Sequence, residues 1–181
     1  MPSRFLDRLP LFDRDSGELN VVIETPKGSR NKYKYDGEVG AIRLGAVLGE
    51  GLAFPCDFGF LPSTLGADGD PLDVLLLLEH VMPPGSVATA RLIGVMEIEQ
   101  KKKGEAWQRN DRFLAVATLA HGSEAVKTLA DLRPRMLDEL EAFFAHYTGL
   151  EGKKLRMLGR KGPKRALQLV TAGARAFEAG Q

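Results

Sequence analysis

The spacing of apolar residues changes once along this chain. Up to Thr118 they come in short runs or alternate with polar residues, the spacing of strands; beyond it they recur at helical spacing. Asn20–Glu24 is a short β-rich run that meets a turn at Pro26–Ser29. Residues 30–36 alternate, with Lys32 and Lys34 on one face and Tyr33 and Tyr35 on the other. Five glycines (Gly40, Gly45, Gly49, Gly51 and Gly59) break up residues 40–61, which also carry the aromatic cluster Phe54, Phe58 and Phe60. Pro71–Leu78 reads as a strand buried on both faces. Val87–Glu99 reads as a long strand with Gly94 as a bulge, residues 101–105 as a hairpin tip, and Arg112–Thr118 as the returning strand.

Helical signals follow. Ser123 is placed to cap a short helix containing Val126 and Leu129. Pro134 suits the first turn of a longer helix, with Asp131 as a cap candidate and Leu137, Leu140, Phe144 and Tyr147 as its apolar face. Gly149 and Gly152 would end it. Leu155–Leu158 reads as a short strand. A last helix from near Pro163 would bury Leu167, Val170, Ala174 and Phe177. Strands first and helices afterwards indicate an α+β fold, and many short strands parted by glycines indicate a small, strongly bent barrel. No repeat, low-complexity tract or interior linker divides the sequence, so residues 1–181 are read as a single domain.

Composition changes this picture little. The chain is 44% hydrophobic and 27% charged, an ordinary globular mixture, and no stretch approaches the ~20 apolar residues a membrane span needs. Asp7 and Arg8 interrupt the apolar core that a secretion signal requires. Cys56 is the only cysteine, so no intrachain disulfide can form. A cytoplasmic location is expected. With 25 basic and 24 acidic residues the net charge is +1, which argues against nucleic acid as a partner. Charge is uneven locally: residues 153–165 hold seven lysines and arginines and no acid. That run is either a solvated face or a surface for an anion.

The densest acidic feature is Asp68-Gly69-Asp70-Pro71-Leu72-Asp73, which leads straight into the apolar strand. Two like charges ~4 Å apart repel by ~1 kcal/mol in water and ~4 kcal/mol at a protein surface. Such a cluster splays into solvent, raises a pKa or takes a hard cation such as Mg²⁺ or Mn²⁺. It is no EF-hand, and no P-loop occurs anywhere in the chain. His80, His121 and His146 sit in no nucleophile motif, and Cys56, beside Pro55 in an aromatic run, reads as packed.

The order of segments narrows the choice. Glu24-Thr25-Pro26-Lys27-Gly28-Ser29-Arg30-Asn31-Lys32-Tyr33, then Phe54-Pro55-Cys56-Asp57-Phe58-Gly59-Phe60, then Asp68–Leu75 come in sequence, followed by Pro84–Val87, Ile93–Val95 and Phe143–Tyr147. This set resembles the family I soluble inorganic pyrophosphatases over about residues 18–177. The resemblance implies a small five-stranded OB-like β-barrel flanked by C-terminal helices. It implies hydrolysis of diphosphate by direct attack of a metal-activated hydroxide, several Mg²⁺ ions with Mn²⁺ as an alternative, and a homohexamer. By the same resemblance Asp68 and Asp73 are metal ligands, Asp70 is general base and ligand, and Glu24 faces a substrate-borne metal. Lys32, Arg43, Tyr147 and Lys154 would contact phosphate.

Several positions depart from the family pattern. Lys34 stands where Glu is usual, Phe54 and Phe58 where tyrosines are usual, and Thr148 where a Lys is usual. The spacing from Arg43 to Phe54 is longer than in the family. Gln100 and Asn110 stand where metal-binding acids are usual, and Glu99 and Asp111 are expected to replace them by a shift of one residue. In a strand that shift needs a bulge, since neighbouring side chains point to opposite faces. Arg112 would replace a lysine as a phosphate cation, and Lys34 would mean one fewer metal, with the lysine on phosphate instead. The alternatives are a phosphate- or diphosphate-binding homologue with little turnover and a hydrolase of another short phosphoanhydride.

Overall fold

The structure is a computed structural model and describes residues 5–180. Met1 to Arg4, part of the segment read against a secretion signal, and Gln181 lie outside the described residues. In chain order the strands are β1 (Leu19–Thr25), β2 (Asn31–Asp36), β3 (Ala41–Val47), β4 (Asp57–Leu61), β5 (Leu72–Leu77), β6 (Val87–Lys101), β7 (Gln108–Arg109), β8 (Arg112–Ala117) and β9 (Lys154–Lys161). The helices are α1 (Met136–Leu150) and α2 (Pro163–Ala179). Five strands close on themselves as a ring in the order β1-β4-β5-β8-β6 and back to β1, all antiparallel except β5 with β8. This is the expected α+β, OB-like arrangement. β2 and β3 form a separate hairpin.

The apolar run after Pro71 becomes β5 because both its faces are covered. Val74 and Leu76 pack with Ala166 and Val170 of α2, while Leu75 packs with Leu140 and Phe144 of α1. The two-residue period of a strand thus assigns alternate side chains to two cores. Phe144 is 2% exposed, and its truncation to Ala would cost about 3–5 kcal/mol. The long β6 bends where expected: its register with β8 shifts between Leu92 and Gly94. A Cβ at Gly94 would come within 2.7 Å of the Lys161 carbonyl, so glycine is needed at that bend.

Other readings are corrected. The region from Ser123 is two single 3-10 turns, Ser123–Ala125 and Leu129–Asp131, rather than a helix. The second is closed by a capping box between Thr128 and Asp131. Helix α1 begins two residues after Pro134 and runs through Gly149. β9 is longer than residues 155–158 because every residue of it except Leu158, where the register shifts, pairs along β6. The buried stripe of α2 is Ala166, Val170 and Gly173; Leu167 is 47% exposed. Among the described residues, no helix is long and apolar enough to cross a membrane.

Candidate active site

The acidic loop between β4 and β5 is held at both ends before it presents its carboxylates. The Gly66 N–H donates to the Asp70 carbonyl at 2.7 Å, and the Asp70 N–H donates to Asp68 Oδ1 at 3.2 Å. Gly69 sits at φ +86°, which a residue with a side chain rarely adopts. The Leu72 N–H donates to the buried Thr64 hydroxyl at 3.0 Å, and the Gln108 side chain donates to the Ala67 carbonyl at 2.7 Å. Asp73 is already part of β5, in register opposite Phe60.

These carboxylates open into a cleft of about 310 Å³. β1 brings Glu24, β2 brings Lys32 and Lys34, β6 brings Gln100, and the approach to β8 brings Asn110 and Arg112. Tyr147 and Thr148 come from α1, and Glu151 and Lys153 from the turn after it. Lys34 Nζ donates to Asp70 Oδ2 at 2.6 Å, and Arg112 Nη1 lies 2.5 Å from Asp73 Oδ2. Arg112 also donates to the Asn110 side chain and to the Asn110 and Asp111 carbonyls. Its guanidinium carbon lies 5.3 Å from the Phe144 ring centroid and 5.8 Å from that of Phe58, so phenylalanine at 58 still supplies a cation–π face. Across the cleft, Lys32 Nζ donates to the Tyr147 hydroxyl at 2.8 Å, and that hydroxyl donates to Glu151 at 2.6 Å.

Burial sets the electrostatics. It pushes Glu24 up to about 7, against the pull of the 2.6 Å hydrogen bond from the Tyr35 N–H. It also raises Asp68 and Asp73 above the usual carboxylate range, with Arg112 opposing in both, and it lowers Lys32. Burial, followed by the Glu151 contact, raises the Tyr147 phenol, so it stays a neutral donor. Carboxylates whose burial disfavours bare charge, facing lysines and an arginine, suit a hard dication together with a polyanion. Asp68 and Asp73 therefore suit a hard divalent cation, with the Asp70 carboxylate, paired to Lys34, beside them. Among the described residues no three acid, His or Cys side chains converge as a ready-made cage, and Asp70 and Asp73 are each held by a side-chain cation.

Of the residues expected at the site, Glu24, Lys32, Lys34, Asp68, Asp70, Asp73, Arg112 and Tyr147 line this one cleft. Glu99, Asp111, Arg43 and Lys154 do not, although Asp111 lines a small adjoining pocket with Asp68 and Asp73. β6 runs from Ile98 through Gln100 in unbroken register with β9, so no bulge turns Glu99 inward; it pairs with Arg156. Asp111 accepts the Ile98 N–H at 2.9 Å and holds Arg109 at 2.8 Å. Gln100 and Asn110 take the cleft-facing positions. Arg43 sits on the β2–β3 hairpin, 3.0 Å from Asp36, while Ala46 is the residue opposite Lys32. Lys154 is exposed, and its neighbour Lys153 lines the cleft instead. Glu151 and Asp7 were missed. Glu151 follows Tyr147 by four residues, a spacing that could have revealed it. Asp7, whose buried Oδ1 has no hydrogen-bond partner among the described residues, carries no local signal.

Comparison with known proteins agrees with this geometry. The family model for inorganic pyrophosphatase matches residues 21–178. An inorganic pyrophosphatase of Thermus thermophilus is 36% identical over 170 residues, covering 92% of this chain and 94% of the relative. One from Synechocystis is 38% identical over 165 residues, covering 91% and 94%. The crystal structure of the Thermus thermophilus inorganic pyrophosphatase superposes with a TM-score of 0.87 at 34% identity, covering 96% of this chain and 98% of that one. A loop of three carboxylates facing fixed cations, in a five-stranded ring matched over nearly its whole length, places this chain in the inorganic pyrophosphatase family.

Proposed function

We propose that this chain is an inorganic diphosphatase that converts diphosphate and water to two phosphates in the cleft between the Asp68–Asp73 loop and α1. The observation that carries the reading is the convergence of Asp68, Asp70 and Asp73 with Lys32, Arg112 and Lys153 on one cleft. The cations bind and orient the phosphate oxygens, and the neutral Tyr147 phenol adds a donor. Asp70 is the general base: its carboxylate takes the proton of the attacking water as the phosphoanhydride bond breaks. No covalent enzyme intermediate is needed, and among the described residues no Ser or Cys lines the cleft. Divalent ions held by Asp68 and Asp73, Mg²⁺ with Mn²⁺ as an alternative, would neutralise substrate charge and lower the pKa of a bound water. Glu24 would face ions carried by the substrate. The same reading takes the chain as one domain, as the protomer of a homohexamer, and as a cytoplasmic protein.

The test is phosphate release from diphosphate by folded protein, with Mg²⁺ and then with chelator. Release that needs Mg²⁺ supports the reading; no release with Mg²⁺ across the neutral pH range overturns it.

A further inference from the structure

The cleft carries a cation of its own at the residue proposed as base. The backbone that presents the Asp70 carboxylate is fixed, because the Gly66 N–H holds the Asp70 carbonyl and the Asp70 N–H is bonded to Asp68. Lys34 is set by the β2–β3 hairpin, where it lies opposite Arg43, and by the neighbouring Tyr35 N–H on Glu24. The two side chains meet at 2.6 Å, each about half exposed. Asp73 is matched in the same way by Arg112, which two backbone carbonyls and two aromatic rings fix in place. Among the described residues, Asp68 is the one member of the trio without a side-chain ion pair. Gln100 and Asn110, which also line the cleft, are uncharged amides.

We propose that Lys34 is a built-in cation that occupies the place beside Asp70 where a divalent ion would otherwise sit, so that the substrate-free protein holds fewer ions than its carboxylates could bind. This rests on the diphosphatase reading. An ammonium at 2.6 Å takes one Asp70 oxygen and repels any dication drawn to the other. It also keeps Asp70 oriented without an ion, which makes Lys34 a positioning residue for the base. Any ion that the reaction needs beside Asp70 must then arrive with the diphosphate.

The experiment counts ions without substrate. Full-length protein is titrated with Mn²⁺ by calorimetry and by loss of the free-ion paramagnetic resonance signal, for wild type, Lys34→Met, Lys34→Gln and Lys34→Glu. Lys34→Met and Lys34→Gln are expected to take up about one further Mn²⁺ per chain, and Lys34→Glu to bind that ion more tightly. Equal counts and affinities in wild type and Lys34→Met overturn the proposal. So does a gain confined to Lys34→Glu, since the new carboxylate would then have made the site. The two neutral variants guard against a folding defect in either one. Failure of the diphosphatase reading shows separately, as absent phosphate release by wild type, and leaves the ion counts standing.

Discussion

Lys32 Nζ and the Tyr147 hydroxyl meet at 2.8 Å although 115 positions separate them in sequence. The contact ties β2 to α1 across the mouth of the cleft, and Glu151 completes it by accepting from the phenol at 2.6 Å. Tyr147→Phe keeps the ring, which stacks on Phe143 at 5.9 Å, but leaves Lys32 without its acceptor and Glu151 with Lys153 as its remaining donor. KM for diphosphate should rise and kcat fall, with a stability loss of about 1 kcal/mol for the lost hydrogen bonds. Steady-state kinetics and a denaturation curve check this; unchanged KM and kcat would remove Tyr147 from the substrate path.

Asp70→Asn tests the base. The side chain is half exposed, so folding stability should change by no more than about 0.5 kcal/mol. The amide cannot take a proton, and turnover should fall by about 10²–10⁴-fold. A rate within a few-fold of wild type, in protein with an unchanged melting point, would assign the base elsewhere.

How far the sequence reveals this site follows from how each residue is positioned. Asp68, Asp70 and Asp73 share one short loop, so a local pattern reveals them together. Glu99 and Asp111 show the opposite case. In β6, whether Glu99 or Gln100 faces the cleft depends on the register with β9, which is set by tertiary pairing and leaves no mark in composition. Arg43 lies on a hairpin whose glycines obscured its strand, so its pairing with Asp36 was hidden as well. The bent sheet itself was readable, because short apolar or alternating runs such as β5 and β6 are parted by glycines and turns.

Asn110→Ala and Asp111→Ala should separate site from scaffold. Asp111 satisfies the Ile98 N–H and anchors Arg109, which also contacts Glu97 at 3.2 Å. Its removal leaves the buried Ile98 N–H without this acceptor and a partly exposed arginine with one partner fewer, and should cost about 1–3 kcal/mol of stability, with the Mg²⁺ dependence unchanged. Asn110→Ala removes a cleft-lining group and a partner of Arg112, so the Mg²⁺ or diphosphate dependence should shift while the fold holds. The reverse pattern would return Asp111 to the metal site.

Gly59 tests how tightly the ring is closed. A Cβ built there would lie 1.9 Å from the Val22 carbonyl oxygen, in the pairing between β1 and β4. Backbone cannot yield as a flexible side chain can. Gly59→Ala should therefore destabilise by at least about 1–3 kcal/mol, read as a lower denaturant midpoint. A wild-type midpoint would show that β1 and β4 approach less closely than this.

Cys56 should be chemically silent. It is 4% exposed, packed against the aromatic core that includes Phe54 and Phe58, and burial pushes its thiol up to about 12. At neutral pH the nucleophilic thiolate is then negligible, and a modifying reagent has no path to the sulfur. Iodoacetamide should leave the native protein unmodified and add one label after unfolding in guanidinium, as read by intact mass. Activity should survive the native treatment. Fast labelling of native protein would mean that the segment joining Phe54 to β4 opens, and the cleft lining at Phe58 would open with it.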